Sequence, residues 1–385
     1  MRKRLKKILI VAGITLVVLS LAVFITLKFT LWQQFPLLEN QPQIGKWYEV
    51  QAVEGLCGNG DPWHGLFRKG KDNKLIVYFF GGGVSVNEYT AARSFAINPS
   101  EGFYSDNEDN LDFFVRLGIG SQSENNPFKD WSVLAIPYST GDFHCGAGDY
   151  TYLDLEGKEG VLHHYGYKNY SSVLAQILPF VGSPDALLVC GFSAGGFGTS
   201  LLADDVISHY PQTPNVTVFV DSSVLLYDQW PQVAHDVWQA PKVIADRVVS
   251  DNITLDCLKA LHNKYGDMVK ILFGCSVRDE ALTNMQVYFD EGKIRSLTHQ
   301  DGDRMQEVLK QMVNSMKENV KGAGVFIWDD MISQKDAMLT SHTILPSPFE
   351  FHTDRGGNGS IRQWIWDAVN GDVKSYGLEL LDNNY

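Results

Sequence analysis

Residues 186–196 read ALLVCGFSAGG, and this stretch narrows the possible folds more than any other. The apolar run Ala186 to Cys190 has the length and residue types of a buried strand. It passes into Gly191-Phe192-Ser193-Ala194-Gly195, a G-x-S-x-G pattern, and a helical stretch follows from Gly196 to His209. Strand, tight glycine-flanked turn and helix is the setting of a nucleophile elbow, which holds a serine exposed at the carboxyl end of a strand. The turn is so sharp that side chains two before and two after the serine would collide with neighbouring backbone, so glycine stands at both places. The competing reading is a small-residue turn between strand and helix in a Rossmann-like sheet.

The flanking pattern favours one large α/β domain. Leu75 to Phe80, Trp131 to Pro137, Val216 to Val220, Val269 to Cys275 and Val325 to Trp328 are further core-strand runs. Helical stretches are predicted at Gly166 to Leu178, Asp303 to Lys321 and Ile361 to Val369. Trp47 to Val50 and Gly65 to Arg68 alternate like the strands of an edge hairpin. Strands alternating with helices predict a mostly parallel central sheet with helices on both faces, an α/β-hydrolase-like architecture. Residues 84–128 carry few periodic signals and are expected to be an insertion that caps the site.

Sites in such sheets lie at the carboxyl ends of strands, and a serine nucleophile needs a base, an acid and oxyanion donors. The order expected along the chain is serine, acid, histidine. One donor is the amide of Ala194; the glycine run Gly81-Gly82-Gly83 after the Leu75 strand is placed to supply the other. His342 lies downstream of the last strand, where the base belongs, with His352 as a competitor. His235, His262 and His299 fall in helices or connections. Asp279 directly follows the strand ending at Cys275, whereas Asp221 ends the strand after the elbow; position alone leaves both open as the acid. There is no H-E-x-x-H, no paired-histidine metal motif and no phosphate-binding loop. No cofactor is implied, and a carboxylate pair for glycoside hydrolysis is invisible to spacing.

The amino terminus stands apart. Arg2, Lys3, Arg4, Lys6 and Lys7 precede an uncharged apolar run from Ile8 to Leu27, long enough to span a bilayer. A cleaved signal peptide is the alternative, but no A-x-A-like site follows. The expected organisation is a cytoplasmic basic head and signal-anchor helix over residues 1–30, and an extracytoplasmic catalytic domain over 31–385. Six of the 32 basic groups and none of the 45 acidic ones fall in residues 1–30, so the remainder carries a net charge of −19. Such a surface repels nucleic acid at long range. Of the five cysteines, Cys190 is expected as a buried thiol, and an exported domain permits a Cys257–Cys275 pair. Sequons stand at Asn169, Asn215, Asn252 and Asn358.

Taken together, these residues resemble the pectin acetylesterase and Notum family of carboxylesterases. The glycine loop is similar to Tyr78 to Gly83, and the family block P-Y-C-T-G-D-x-H to Pro137 through His144. The elbow matches Gly191 to Gly196, D-S-G resembles Asp221-Ser222-Ser223, D-E-A matches Asp279-Glu280-Ala281, and S-H-x-I-I/L matches Ser341 to Leu345. The matches run in one order from about residue 45 to 370. The resemblance implies a catalytic Ser193, Asp279 and His342, and oxyanion donors at Gly82 or Gly83 with Ala194. It gives Asp221 a structural or substrate-side role and makes Asp142 and His144 substrate-side candidates. Departures also count. Ser139 replaces the block's cysteine, which implies a lost disulfide, and Val84-Ser85-Val86 lacks the aromatic that often follows the glycine loop. The acidic surface suits polyanionic pectin poorly. The expected activity is removal of O-acetyl or other acyl groups from a cell-surface or environmental glycan. Deacylation of a lipidated protein, lipid or thioester, and an inactive surface binding protein, are the alternatives.

Overall fold

The computed structural model describes residues 35–108 and 114–385. The anchor expected over residues 8–27 lies outside the described residues, and among these no helix is long and apolar enough to cross a membrane. The described strands are β1 (Trp47–Leu56), β2 (Pro62–Arg68), β3 (Lys74–Phe79), β4 (Ser132–Ile136), β5 (Gly148–Leu153), β6 (Glu159–His164), β7 (Ala186–Phe192), β8 (Val216–Asp221), β9 (Val269–Ser276), β10 (Gly324–Trp328), β11 (Ile332–Gln334) and β12 (Leu339–Thr340). Eight form one sheet in the order β1-β2-β4-β3-β7-β8-β9-β10. Only β2 runs against its neighbours; every pair from β4 to β10 is parallel. β5 with β6 and β11 with β12 make separate antiparallel ribbons.

Register shows why the core strands are apolar throughout. Tyr78, Cys190 and Phe219 are partners across β3, β7 and β8 and so share one face, while Phe79, Gly191 and Val220 share the other. Phe219 meets Trp364 of the helix Ile361–Val369 at 5.6 Å between ring centres. Phe79 meets Tyr170 of the helix Gly166–Val181 at 5.4 Å. Helices therefore cover both faces, and β8, buried along its whole length, is apolar on both sides apart from Thr217 and its last residue, Asp221.

Element ends follow local chemistry. The helix expected from Asp303 starts at His299, because Thr298 and Asp301 form a reciprocal cap. Two further helices, Ile253–Tyr265 and Glu280–Glu291, are capped by Asn252 and Asp279 through the amides of Leu255 and Leu282. The 84–128 insertion carries the short helix Glu88–Ala91, and its Tyr104 bridges to Gly83. A Cβ on Gly83 (φ +79°) would lie 1.9 Å from Phe103 O, so this contact demands glycine.

The expected Cys257–Cys275 pair is not formed: all five cysteines are free and buried. Cys275 sits near Asp279, Asp221 and Ser222, whereas Cys257 lies with Cys145, Arg247 and Asp256. Cys57 stands beside Ser139, and burial raises its thiol pKa to about 12. Of the sequon residues, Asn169 and Asn252 are buried, the first tied to both backbone groups of Leu56.

Candidate active site

The elbow forms where the sequence places it. Ser193 sits between β7 and the helix Ala194–His209 at φ 56°, ψ −128°, a strained left-handed conformation for a residue with a side chain. A Cβ on Gly191 would come within 2.2 Å of Gly195 O, and one on Gly195 within 2.1 Å of Phe79 O. The strain is held from both sides. Ser193 N donates to Asp221 O at 2.9 Å, and Ser223 Oγ donates to Ser193 O at 2.7 Å.

Asp279 and His342 arrive from separate segments. Asp279 follows β9, is fully buried, and accepts from Leu282 N through Oδ1 at 3.1 Å. Its Oδ2 lies 2.7 Å from His342 Nδ1, so the ring donates through Nδ1 and keeps Nε2 as the acceptor. Burial pushes the His342 pKa down, but the charge and hydrogen bond of Asp279, with the charge of Asp221, outweigh it and leave it raised. Ser193, His342 and Gly81 to Gly83 line one cavity of about 430 Å³. A Cβ built on Gly81 would stand 2.6 Å from that of Ser193, which puts the glycine loop directly over this serine. Ser105 N donates to Gly82 O, and Val84 N donates to Phe103 O. The Gly82 carbonyl and the Val84 amide are thereby tied down, and the amides of Gly82 and Gly83 have no intrachain acceptor among the described residues. The Ala194 amide opens a helix and is likewise unused by it.

The three substrate-side candidates are placed otherwise. Asp142, His144 and Asp221 are at most 1% exposed, and none lines the cavity. Each braces a part that does. His144 Nε2 donates to Phe80 O at 2.8 Å and so pins the strand end from which the glycine loop springs. Burial depresses its pKa to about 4, so the ring stays neutral. Asp142 accepts from Thr140 Oγ1 and from the amides of His144, Gly146 and Gly166. It holds a turn in which Phe143 and His144 both have positive φ. Asp221 Oδ2 accepts from Ile344 N at 2.9 Å and Leu345 N at 2.8 Å, clamping the loop that carries His342. Burial raises the pKa of Asp221 to about 6 against the pull of those amides, Ser222 and His342. These residues share the motif pattern of reacting groups, and only the fold tells bracing from contact.

The remaining histidines stand away from Ser193. His352 contacts Arg362, His299 contacts Asp303 and Tyr385, and His235 contacts Asp246. Sequence reasoning did not reach the cavity's apolar lining. Phe95 and Phe103 come from the insertion, Phe143 from the Asp142 turn, Phe197 and Leu225 from beyond the elbow, and Met285 from the helix after Asp279. Val84, next to the glycine loop, completes this apolar wall.

Comparison with known proteins shows the family and the fold. Residues 52–340 match the family Pectinacetylesterase. No curated protein sequence matches the chain. Among solved structures, the Wnt deacylase Notum from Drosophila superposes with a TM-score of 0.59 at 17% identity, covering 86% of this chain and 95% of that one. At that identity the likeness is one of fold: a mixed α/β architecture around a large, mostly parallel sheet.

Proposed function

The chain belongs to the pectinacetylesterase family of ester hydrolases, and we propose that it is a serine carboxylesterase of the α/β-hydrolase type. The observation that carries this reading is the strained Ser193 lining one cavity with a His342 that is hydrogen-bonded to the buried Asp279. Ser193 Oγ attacks the ester carbonyl while His342 Nε2 takes its proton. Asp279 accepts from Nδ1 and stabilises the charged ring. The amides of Gly82 or Gly83 and Ala194 receive the oxyanion. Nε2 then gives its proton to the departing alcohol. Water, deprotonated by the same nitrogen, releases the acyl group as a carboxylate.

O-Acetyl removal from a glycan is the first form of this reading. The cavity favours a longer acyl group. Its volume of about 430 Å³ is in the range that holds drug-sized ligands, and its walls are mainly Phe, Leu, Val and Met. Each buried methylene contributes about 0.8 kcal/mol, so octanoate could gain up to about 5 kcal/mol over acetate. The basic head and apolar run of residues 2–27 support a membrane anchor that holds the domain outside the cytoplasm.

The test is hydrolysis of p-nitrophenyl esters from acetate to octanoate by the purified protein and by Ser193→Ala. A rate lost in Ser193→Ala with folding retained is expected, with kcat/KM rising toward octanoate. An unchanged rate in the variant would remove Ser193 as nucleophile; a preference for acetate would remove the long-acyl form.

A further inference from the structure

An ester has two sides, and the cavity accounts for one. The alcohol must depart past His342, whose Nε2 hands it a proton. A second depression of about 670 Å³ opens at that place and shares Ala281, Asn284 and His342 with the first. Its lining is more polar, with hydroxyl, amide and carboxylate groups from Ser100, Glu280, Ser333, Gln334 and Ser341 beside the apolar Ile294 and Leu297. Gln334 Nε2 donates to Glu280 Oε1 at 2.7 Å, and Glu280 pairs with no cation among the described residues. Arg295 also lines the groove, but its guanidinium is committed to Glu291 and to Asp301, at 2.7 and 2.8 Å from the latter. Lys293 also pairs with Glu291, so Arg295 and Lys293 offset Glu291 and Asp301 and leave Glu280 as the carboxylate without a cation.

We propose that this groove is the alcohol-side subsite and that it takes a neutral polyhydroxylated group, a sugar, while rejecting a uronate. The inference rests on the esterase reading, which sets the direction of departure. A carboxylate accepts hydrogen bonds from neighbouring hydroxyls, and the amides of Asn284 and Gln334 both donate and accept. A uronate would bring a further negative charge within a screening length of Glu280, whereas Arg295 and Lys293 are already engaged by Glu291 and Asp301. Membership of a family named for pectin does not require that this chain accept pectin's charge.

The test uses the full-length protein in detergent and three butyrate esters: of a methyl glucoside, of the matching methyl glucuronoside, and of a serine amide. At low salt the glucoside ester should show at least about tenfold higher kcat/KM than the glucuronoside. The gap should shrink to about threefold or less in Glu280→Gln, and in about 0.5 M salt, where screening shortens to a few ångströms. A uronate ester cleaved as well as the neutral one, a ratio indifferent to both changes, or a serine ester cleaved fastest would each overturn the assignment. Binding of the unacylated sugars to the Ser193→Ala protein, followed by NMR, separates the two claims. Preference for the neutral sugar without turnover of any ester would keep the groove and sink the esterase reading. No preference would sink the groove.

Discussion

Asp221 offers the sharpest test of how the site is held. Its Oδ2 accepts two backbone amides of the loop behind His342, and Oδ1 accepts from Ser222 Oγ at 3.0 Å, all in a fully buried setting. Asp221→Ala leaves both amides without an acceptor where water does not reach. At about 1–3 kcal/mol for each buried unsatisfied group, the loss is about 2–6 kcal/mol, a large share of the stability of any domain. The loop carrying His342 also loses its clamp, and a displacement of about 1 Å at a reacting group can cost about 10²-fold in kcat. Asp221→Asn differs in kind. Its side-chain oxygen can still accept both amides, and its NH₂ can donate to Ser222 Oγ, so geometry is kept and only charge is lost. The Asp221 charge helps raise the His342 pKa, so its removal lowers that pKa. The base is then neutral at lower pH, and the acid limb of kcat/KM moves down. Urea unfolding and the pH profile of p-nitrophenyl ester hydrolysis measure the two effects. Wild-type stability in Asp221→Ala, or an acid limb that stays put or moves up in Asp221→Asn, would refute the reasoning.

Two further outcomes separate bracing from contact. His144→Ala should cost about 2–4 kcal/mol, since it strips the donor from Phe80 O and opens space against Phe79 and Tyr138. It should lower kcat through the glycine loop; a raised KM with unchanged stability would instead place His144 at the substrate. Ser139→Cys should restore a bridge to Cys57, closing a loop of about 80 residues and adding about 2–4 kcal/mol. Thiol titration and non-reducing mass mapping check it; two free thiols after oxidation would show that the side chains cannot meet.

The main sheet and the elbow were legible because each leaves a local mark: apolar runs mark strands buried on both faces, and glycines mark the turn. Strand order left Asp279 and Asp221 both open as the acid of the proposed trio, and only the family resemblance separated them. What stayed hidden depends on three-dimensional direction. Nothing in the row of letters says whether Asp142 points into a cavity or under a turn, or that Asp221 holds amides 123 and 124 residues away. The acyl pocket was invisible because its walls come from separated segments, spread from the glycine loop to Thr343, that share no period. The ribbon of β5 and β6 was missed because its pattern is only half buried and reads like loop. The Cys257–Cys275 pairing failed because the two thiols sit among different neighbours, Cys275 beside Asp279 and Asp221 and Cys257 beside Arg247 and Asp256.

The clasp between Asp221 and the Ile344–Leu345 amides has a consequence for the order of events in synthesis. The chain emerges amino terminus first, and β3, β7 and β8 can pair around the elbow long before residue 342 is made. At that stage Ser193 has neither its base nor its acid, and the partner that fixes the base loop waits with its acceptor unfilled. Hydrolytic competence therefore arrives in one late closure of the carboxyl-terminal third rather than growing with the chain. A partly made molecule lacks the complete site, and this timing does what a removable pro-segment does elsewhere.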